Sequence, residues 1–193
     1  MKKIYLIVVI GALLASCDRE VMDRTIFIPD EDDPTLPAYT EWGYNSFGAE
    51  YERDYFLVSN NIEPCKIVYS NNLLQFSLNG IIHSSKEKMT LKFVFPSTPI
   101  QDFRDLVQLS NKKINLSDSR CTINILQDSS NVFNEFRGEL YFKRAQLLSI
   151  DDKENRVILS GTFELQFLQD GSPSYLSDGR FDVGITKKLF FGN

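Results

Sequence analysis

Residues 66–78 read KIVYSNNLLQFSL, and this stretch decides the fold class of the chain. Two short runs of aliphatic, aromatic and β-branched residues, 66–70 and 73–78, flank the pair Asn71 and Asn72. Asparagine tolerates the left-handed backbone conformation that a two-residue hairpin turn requires. The stretch therefore predicts an antiparallel β-hairpin.

Similar short apolar runs, separated by turn residues, continue on both sides of this hairpin. Alternating apolar and polar residues are typical of strands with one buried face. Phe163, Leu165 and Phe167 fall on one face in this way, and a slip of one residue in register would place all three in water. Further strands are predicted over 89–95, 121–125, 136–142, 144–150, 156–168 and 180–183.

The fold class that follows is all-β. About eight to ten antiparallel strands in order, joined mostly by short loops, predict a meander that forms a barrel or a sandwich, because both arrangements hide strand edges. A helical turn is expected only within 100–109, and Asp178-Gly179 is expected to form the last turn. With 42% hydrophobic residues among 193, the chain can close one sizeable core.

The N-terminus has the pattern of an export signal. Met1-Lys2-Lys3 is basic and residues 4–16 carry no charge, but this run is too short to span a membrane, so residues 1–16 are predicted to be a signal peptide. It ends in Leu14-Ala15-Ser16-Cys17, which resembles the lipobox of bacterial lipoproteins. That resemblance implies cleavage before Cys17, a thioether-linked diacylglyceryl group on its sulfur, and an anchor of two or three acyl chains.

The charge of the chain excludes one class of partner and sets the expected location. The formal net charge is -5, and removal of residues 1–16 takes away two lysines and lowers it to -7. Nucleic acid is not expected as a partner, since its affinity rests on clustered cations. Membrane contact is expected through the acyl chains on Cys17, with the body standing off the membrane. The expected location is the outer membrane of a Gram-negative envelope, periplasmic or surface-exposed.

The segment before the β domain is predicted to be a tether. Residues 30–37 read DEDDPTLP, which combines four acids with two prolines and lacks apolar periodicity. Such a segment repels itself and favours an extended chain. The chain is therefore divided into a signal peptide (1–16), an acidic tether (17–37) and one β domain (38–193). A charged surface loop inside the domain is the alternative for 30–37.

The sequence predicts no catalytic residue, metal site or cofactor. The single histidine, His83, excludes two-histidine zinc sites, and both glycine-rich phosphate loops and Cys-x-x-Cys pairs are absent from the sequence. Two carboxylates across a cleft can hydrolyse a glycosidic bond. The acids considered for this role, with solvent-facing strand positions as the alternative, are Glu135, Glu139, Glu164, Asp178 and Asp182.

Aromatic residues crowd one region of the chain. Trp42, Tyr44 and Tyr51 are the candidate ligand-binding residues, because tyrosine and tryptophan rings stack on sugars and other ligands. Core packing is the alternative for these residues. The ligand class is open among a small molecule, a glycan and a protein.

Two cysteines remain if Cys17 is lipidated. In an oxidising envelope Cys65 and Cys121 can form a disulfide, which would stabilise the fold by roughly 4 kcal/mol in the loop-entropy model. The alternative is two separate buried thiols that act as small apolar side chains.

Three short motifs also carry a family resemblance. Residues 45–49 (NSFGA), 160–165 (SGTFEL) and 178–183 (DGRFDV), in this order the first, second and third motif, resemble segments of uncharacterised Bacteroidetes cell-envelope lipoproteins. The resemblance implies a secreted, membrane-tethered β domain, and it carries no catalytic residue to transfer. Leu165 departs from the motif, where phenylalanine is usual.

The expected function is that of a lipid-anchored, non-enzymatic binding or assembly module. One alternative is a lipocalin-like carrier of a small apolar ligand, which requires an open cavity inside the barrel. A second is a carboxylate-dependent glycoside hydrolase. A third is a subunit of a surface fibre, which requires an unpaired strand that can accept another chain.

Overall fold

The computed structural model describes residues 24–127, 129–133, 135–150, 153–169 and 171–192. The predicted signal peptide, the segment that resembles a lipobox and residues 17–23 lie outside the described residues. The described chain is mainly β-strand with one 3-10 helix, Phe103–Leu109. The strands are β1 Ser46–Tyr51, β2 Asp54–Val58, β3 Cys65–Ser70, β4 Leu73–Ile82, β5 Lys88–Pro96, β6 Lys112–Asn115, β7 Thr122–Gln127, β8 Ser129–Phe133, β9 Phe136–Ile150, β10 Lys153–Gln169, β11 Ser172–Ile185 and β12 Phe190–Gly192.

The strands form one strongly curled sheet, which confirms the all-β prediction. The order is β6-β9-β10-β11-β1-β2-β4-β5-β7-β8, and β3 pairs with β4 and with β12. The topology is not a simple meander, because β11 near the end of the chain pairs with β1 near its start, and β12 pairs with β3 in parallel. The described residues contain twelve strands, more than the eight to ten predicted, since the short β6, β8 and β12 carry little sequence signal.

The hairpin of residues 66–78 forms as predicted. Ser70 is the partner of Leu73, so the loop has two residues, and Asn71 and Asn72 have φ angles of 53° and 61°. Both loop residues thus adopt the left-handed conformation of a type I′ turn.

The last three long strands confirm two long hairpins and correct their boundaries. The two runs predicted over 136–142 and 144–150 form one strand, β9. Asp178-Gly179 is not a turn. It lies within β11, where the register against β10 shifts and Asp178 has a φ of 49°, so the pair marks a β-bulge.

The helical turn expected within 100–109 is the 3-10 helix. Asp102 caps it, since its carboxylate accepts the backbone N–H of Arg104 at 3.1 Å. Phe103, Leu106 and Leu109 are buried, and this spacing of three is the repeat of a 3-10 helix. Val107, between the last two of these residues, is 40% exposed.

Aromatic rings fill the space inside the curled sheet. The Phe76 ring centroid lies 5.0 Å from that of Phe181, 5.4 Å from that of Phe142 and 6.2 Å from that of Phe93. These rings come from β4, β5, β9 and β11, so they join the two halves of the sheet. The packed rings occupy the place where a lipocalin-like carrier would hold its ligand.

Residues 24–45 cover part of the outer face of the sheet, and we call them the N-terminal arm. Leu36 is 1% exposed although it lies outside the central core. Arm and sheet approach closely at Gly48 of β1, where a Cβ atom would lie 2.5 Å from Cδ of Pro37. Gly43 of the arm also lies close to Ile158 of β10, since a Cβ atom at Gly43 would lie 3.0 Å from its Cγ1.

Residues 30–37 are not the extended tether that the sequence predicts, because they form a turn that packs on the sheet. The Asp30 N–H donates to the Leu36 carbonyl at 3.0 Å, and Pro29 and Pro37 form an isolated β-bridge. The Asp30 carboxylate also pairs with Arg180 of β11 at 2.6 Å. The chain is not extended here, because backbone N–H groups and Arg180 bind the carboxylate of Asp30, the first of the four acids.

This pairing makes docking of the arm sensitive to acid. Backbone N–H groups of Asp32 and Asp33, together with Arg180, lower the pKa of Asp30 below its ordinary value of 3.8. A lowered pKa in the folded state stabilises the fold above the unfolded pKa, and this contribution is lost as the pH falls through the folded pKa. We therefore expect Asp30→Asn to lower the melting temperature at pH 7. This difference should shrink as the pH falls below 3.8 and disappear once Asp30 is protonated in the folded protein.

Thermal unfolding of both proteins between pH 7 and pH 2, followed by circular dichroism, measures this difference. The exposed Glu164→Gln serves as the control, and its difference from the natural protein is expected to be small at every pH. An Asp30→Asn difference that persists unchanged at pH 2 would contradict the pairing.

Candidate functional site

The most heavily bonded polar side chain in the described structure is Asp182 of β11, which is 1% exposed. Its Oδ2 accepts the Thr40 hydroxyl at 2.5 Å and the backbone N–H groups of Trp42 at 3.1 Å and Tyr44 at 3.2 Å. Its Oδ1 accepts the Gly43 N–H at 2.7 Å and the Ser160 hydroxyl at 3.1 Å. This carboxylate therefore fixes residues 40–44 of the arm onto β10 and β11.

The strand pattern explains why an aspartate lies here. Its neighbours Phe181 and Val183 point into the core at 1% exposure each, so Asp182 points to the outer face. The arm covers that face with a row of N–H donors, aided by Gly43, whose φ is 75°. A buried carboxylate is stable when such donors surround it, because hydrogen bonds to an ionised acceptor are strong.

The three motifs of the family resemblance meet at this point. Asn45 has a φ of 54°, and its Oδ1 accepts the Gly184 N–H at 2.9 Å. Phe181 is the register partner of both Phe47 and Gly161. Ser160, from the second motif, bonds to Asp182, from the third. At these contacts the motif residues hold the arm and the sheet together.

The candidate ligand-binding aromatics do not form one patch. Trp42 is 71% exposed on the arm, and Tyr44 is half-buried two residues later. Tyr51 lies at the other end of β1, half-buried, and its hydroxyl donates to Oε1 of Gln169 at 3.2 Å. Burial raises the pKa of the Tyr51 phenol. Strand β1 separates Tyr51 from Trp42 and Tyr44, so the structure does not bring the three candidates together on one surface.

A charged cleft of about 380 Å³ lies nearby on the outer face of β9, β10 and β11. Its walls combine acids with bases, so it offers both acceptors and donors to a polar ligand. Tyr39 of the arm closes one side, and Nζ of Lys143 lies 4.5 Å from the centroid of its ring. The Tyr39 hydroxyl donates to Glu41 at 2.9 Å, and its pKa is raised by burial and by this neighbour. Other lining residues include Glu139, Thr162, Glu164, Asp178 and Arg180.

The acids considered for glycoside hydrolysis divide into two environments. Glu139 and Glu164 are direct partners across β9 and β10, but both are exposed, and Glu139 pairs with Lys113 at 3.1 Å. Asp178 and Glu135 are exposed as well. Of the five acids, Asp182 is the buried one, and its carboxylate holds the arm.

Cys65 and Cys121 are free thiols, so the disulfide alternative is not the one the structure contains. Both are buried, and burial raises the pKa of the Cys65 thiol far above its usual range. The thiolate that forms disulfides and binds metals is therefore scarce at Cys65. His83 lies exposed in the loop after β4, with its ring edge toward Tyr55.

Sequence reasoning considered Asp182 as one of five acids for glycoside hydrolysis, with a solvent-facing strand position as the alternative. Nothing local indicates that a segment 140 residues away covers its face of the sheet. The aspartate of the third motif and the asparagine of the first were the available signals, because both were part of the resemblance.

Comparison with known proteins found no matching family model, no similar curated protein and no similar solved structure. Within the described residues, no group of three or more His, Cys, Asp or Glu side chains is placed to hold a metal ion. In the same residues no helix has the length and apolar character needed to span a membrane.

Proposed function

We propose that this chain is a lipid-anchored envelope protein whose β domain serves as a binding or assembly module and not as an enzyme. The signal peptide pattern and the sequence Leu14-Ala15-Ser16-Cys17 support the anchor. The structural observation that supports a non-enzymatic role is that hydrogen bonds within the protein engage the buried Asp182 carboxylate. Asp182 has both oxygens engaged by donors of the arm and of Ser160, so it is a structural group.

The binding surface that we propose is the charged cleft of β9, β10 and β11. Its carboxylates, Glu164 and Asp178, accept hydrogen bonds, whereas Lys143 and Arg180 donate them. A polar ligand with hydroxyl or charged groups, such as a glycan or a loop of another protein, fits this mixture. The packed interior gives less support to an apolar ligand, because phenylalanine rings occupy it.

The proposed location is the outer membrane of a Gram-negative cell, with the domain held by acyl chains on Cys17. The resemblance of the three motifs to Bacteroidetes envelope lipoproteins supports this location. Two or three acyl chains suffice for stable anchoring, since each buried methylene contributes about 0.8 kcal/mol.

Cys17→Ala is expected to abolish incorporation of an alkyne-tagged fatty acid and to release the protein from the membrane fraction. The reason is chemical, because alanine offers no sulfur for the thioether. In-gel fluorescence of cells grown with the probe measures the labelling. Cys121→Ala is the matched control, and it should label like the natural protein. Undiminished labelling of Cys17→Ala would contradict the anchor.

A further inference from the structure

We propose that the start of the N-terminal arm is a membrane-contacting surface that inserts into the headgroup region of the bilayer carrying the anchor. This inference rests on the proposed lipidation of Cys17. It concerns four exposed apolar residues, which we call the apolar patch. They are Ile26 (44% exposed), Phe27 (41%), Ile28 (41%) and Trp42 (71%).

Hydrogen bonds place the two segments that carry the apolar patch side by side. The Ile26 N–H donates to the Tyr44 carbonyl at 2.8 Å, and the Ala38 N–H donates to the Ile28 carbonyl at 2.7 Å. Residues 26–28 therefore run beside 38–44, the segment that contains Trp42. The Trp42 N–H is in turn fixed by Asp182 at 3.1 Å. The sheet thus holds the tryptophan in an exposed position.

The length of chain between anchor and arm decides what covers the apolar patch. Because residues 30–37 pack on the sheet, they are not available as a tether, and only residues 18–23 separate Cys17 from Arg24. A chain spans at most about 3.3–3.6 Å per residue, so Arg24 lies within roughly 25 Å of the acylated residue. The domain cannot stand far from the bilayer, and the apolar patch begins two residues later.

The charges along the arm give the contact an orientation. Arg24 lines a surface cleft of about 650 Å³ together with Glu63 and Lys188, and the Lys188 Nζ lies 3.5 Å from Oε2 of Glu63. Arg24 lies at the end of the arm nearest the anchor, where phosphate headgroups would be. Asp30, the first acid of the turn, pairs with Arg180 of β11 at 2.6 Å, so its charge faces the sheet.

The chemistry of the side chains fits the bilayer interface. Tryptophan is favoured at the headgroup level, because its ring is apolar and its indole N–H is polar. Three further apolar side chains are too few for strong binding on their own. The anchor, however, keeps them at high local concentration beside the membrane, so that a weak contact is populated.

Trp42 is the only tryptophan of the chain, so its fluorescence reports on this surface alone. The full-length acylated protein is reconstituted into vesicles of phosphatidylethanolamine and phosphatidylglycerol, with or without acyl chains brominated near the headgroup. We expect the brominated lipid to quench Trp42 emission roughly twofold, because a tryptophan at the interface lies close to the bromine atoms.

Two variants test the residues. Replacing Ile26, Phe27 and Ile28 together by serine should remove most of the quenching, whereas Phe191→Ser, which changes another half-exposed phenylalanine, should leave it unchanged. Circular dichroism of both variants checks that they keep the fold. Equal quenching of the natural protein and the triple variant would overturn the proposal.

Flotation with the vesicles separates the two proposals. A protein that floats but whose Trp42 is not quenched overturns the membrane contact and leaves the anchor intact. A protein that does not float because Cys17 lacks acyl chains overturns both. An unquenched Trp42 in a chain that cross-links as a dimer through the apolar patch assigns this surface to a second copy, and this result also overturns the proposal.

Discussion

Asp182→Asn is expected to lower the free energy of unfolding by about 3 kcal/mol, because breaking a buried, hydrogen-bonded charge leaves its partners unpaired. Asparagine keeps the shape but replaces one acceptor oxygen with an NH₂ group. This group must face either the Trp42 and Tyr44 N–H groups and the Thr40 hydroxyl or the Gly43 N–H and the Ser160 hydroxyl. Donor then meets donor in a buried site.

Urea unfolding, followed by far-ultraviolet circular dichroism, measures this loss. The matched control is Asp178→Asn, the same chemical change four residues earlier on β11 at an exposed position. Asparagine also tolerates the φ of 49° found there, so the control should change stability by less than about 0.5 kcal/mol. Similar losses in both variants would show that Asp182 does not organise the arm.

The fluorescence of Trp42 should separate local from global effects in the Asp182 variant. If the carboxylate fixes residues 40–44, its replacement loosens the arm before the sheet unfolds. Emission from Trp42 should then change at a lower urea concentration than circular dichroism does. Coincident transitions for the two signals would place the arm and the sheet in one cooperative unit.

Phe76→Ala is expected to lower the free energy of unfolding by roughly 3–5 kcal/mol, the usual range for truncating a buried phenylalanine. Phe76 is fully buried, and its ring contacts those of Phe93, Phe142 and Phe181. These partners come from other strands across the curled sheet. Each partner ring is held by its own strand and cannot move far into the cavity that the truncation leaves. The loss should therefore lie toward the upper end of the range.

Phe191→Ala is the matched control for this variant. Phe191 of β12 is 49% exposed, and the Lys66 Nζ lies 4.4 Å from its ring centroid. A cation over an exposed ring contributes only about 0.5–1 kcal/mol, so this variant should lose no more than about that amount. If Phe76→Ala were tolerated as well as Phe191→Ala, the interior would not be packed, and a carrier of apolar ligands would again be a candidate.

The strands could be predicted from the sequence because their signal is local. The alternation around Phe93 and Phe163 reports which face is buried, and the pair Asn71 and Asn72 reports the turn. The bulge at Asp178 was mistaken for a turn, because a left-handed residue followed by glycine has the same local signature in both structures.

The arm and the site could not be predicted, because they depend on contacts between distant parts of the chain. The acids and prolines of residues 30–37 are typical of an extended tether, and only the position of Arg180 on β11 makes Asp30 part of the fold. Tyr51 was grouped with Trp42 by closeness in sequence, but an intervening extended strand places them apart. The burial of Asp182 likewise depends on the arm.

The mass of the native polypeptide tests the central claim, which is that the mature chain begins at a lipidated Cys17 that anchors the β domain. Protein extracted from the membrane fraction of its own host is measured intact and after proteolysis. The account predicts an N-terminal peptide that starts at Cys17 and carries a diacylglyceryl group on its sulfur. A chain that still carries residues 1–16, with an unmodified Cys17 thiol, would contradict it.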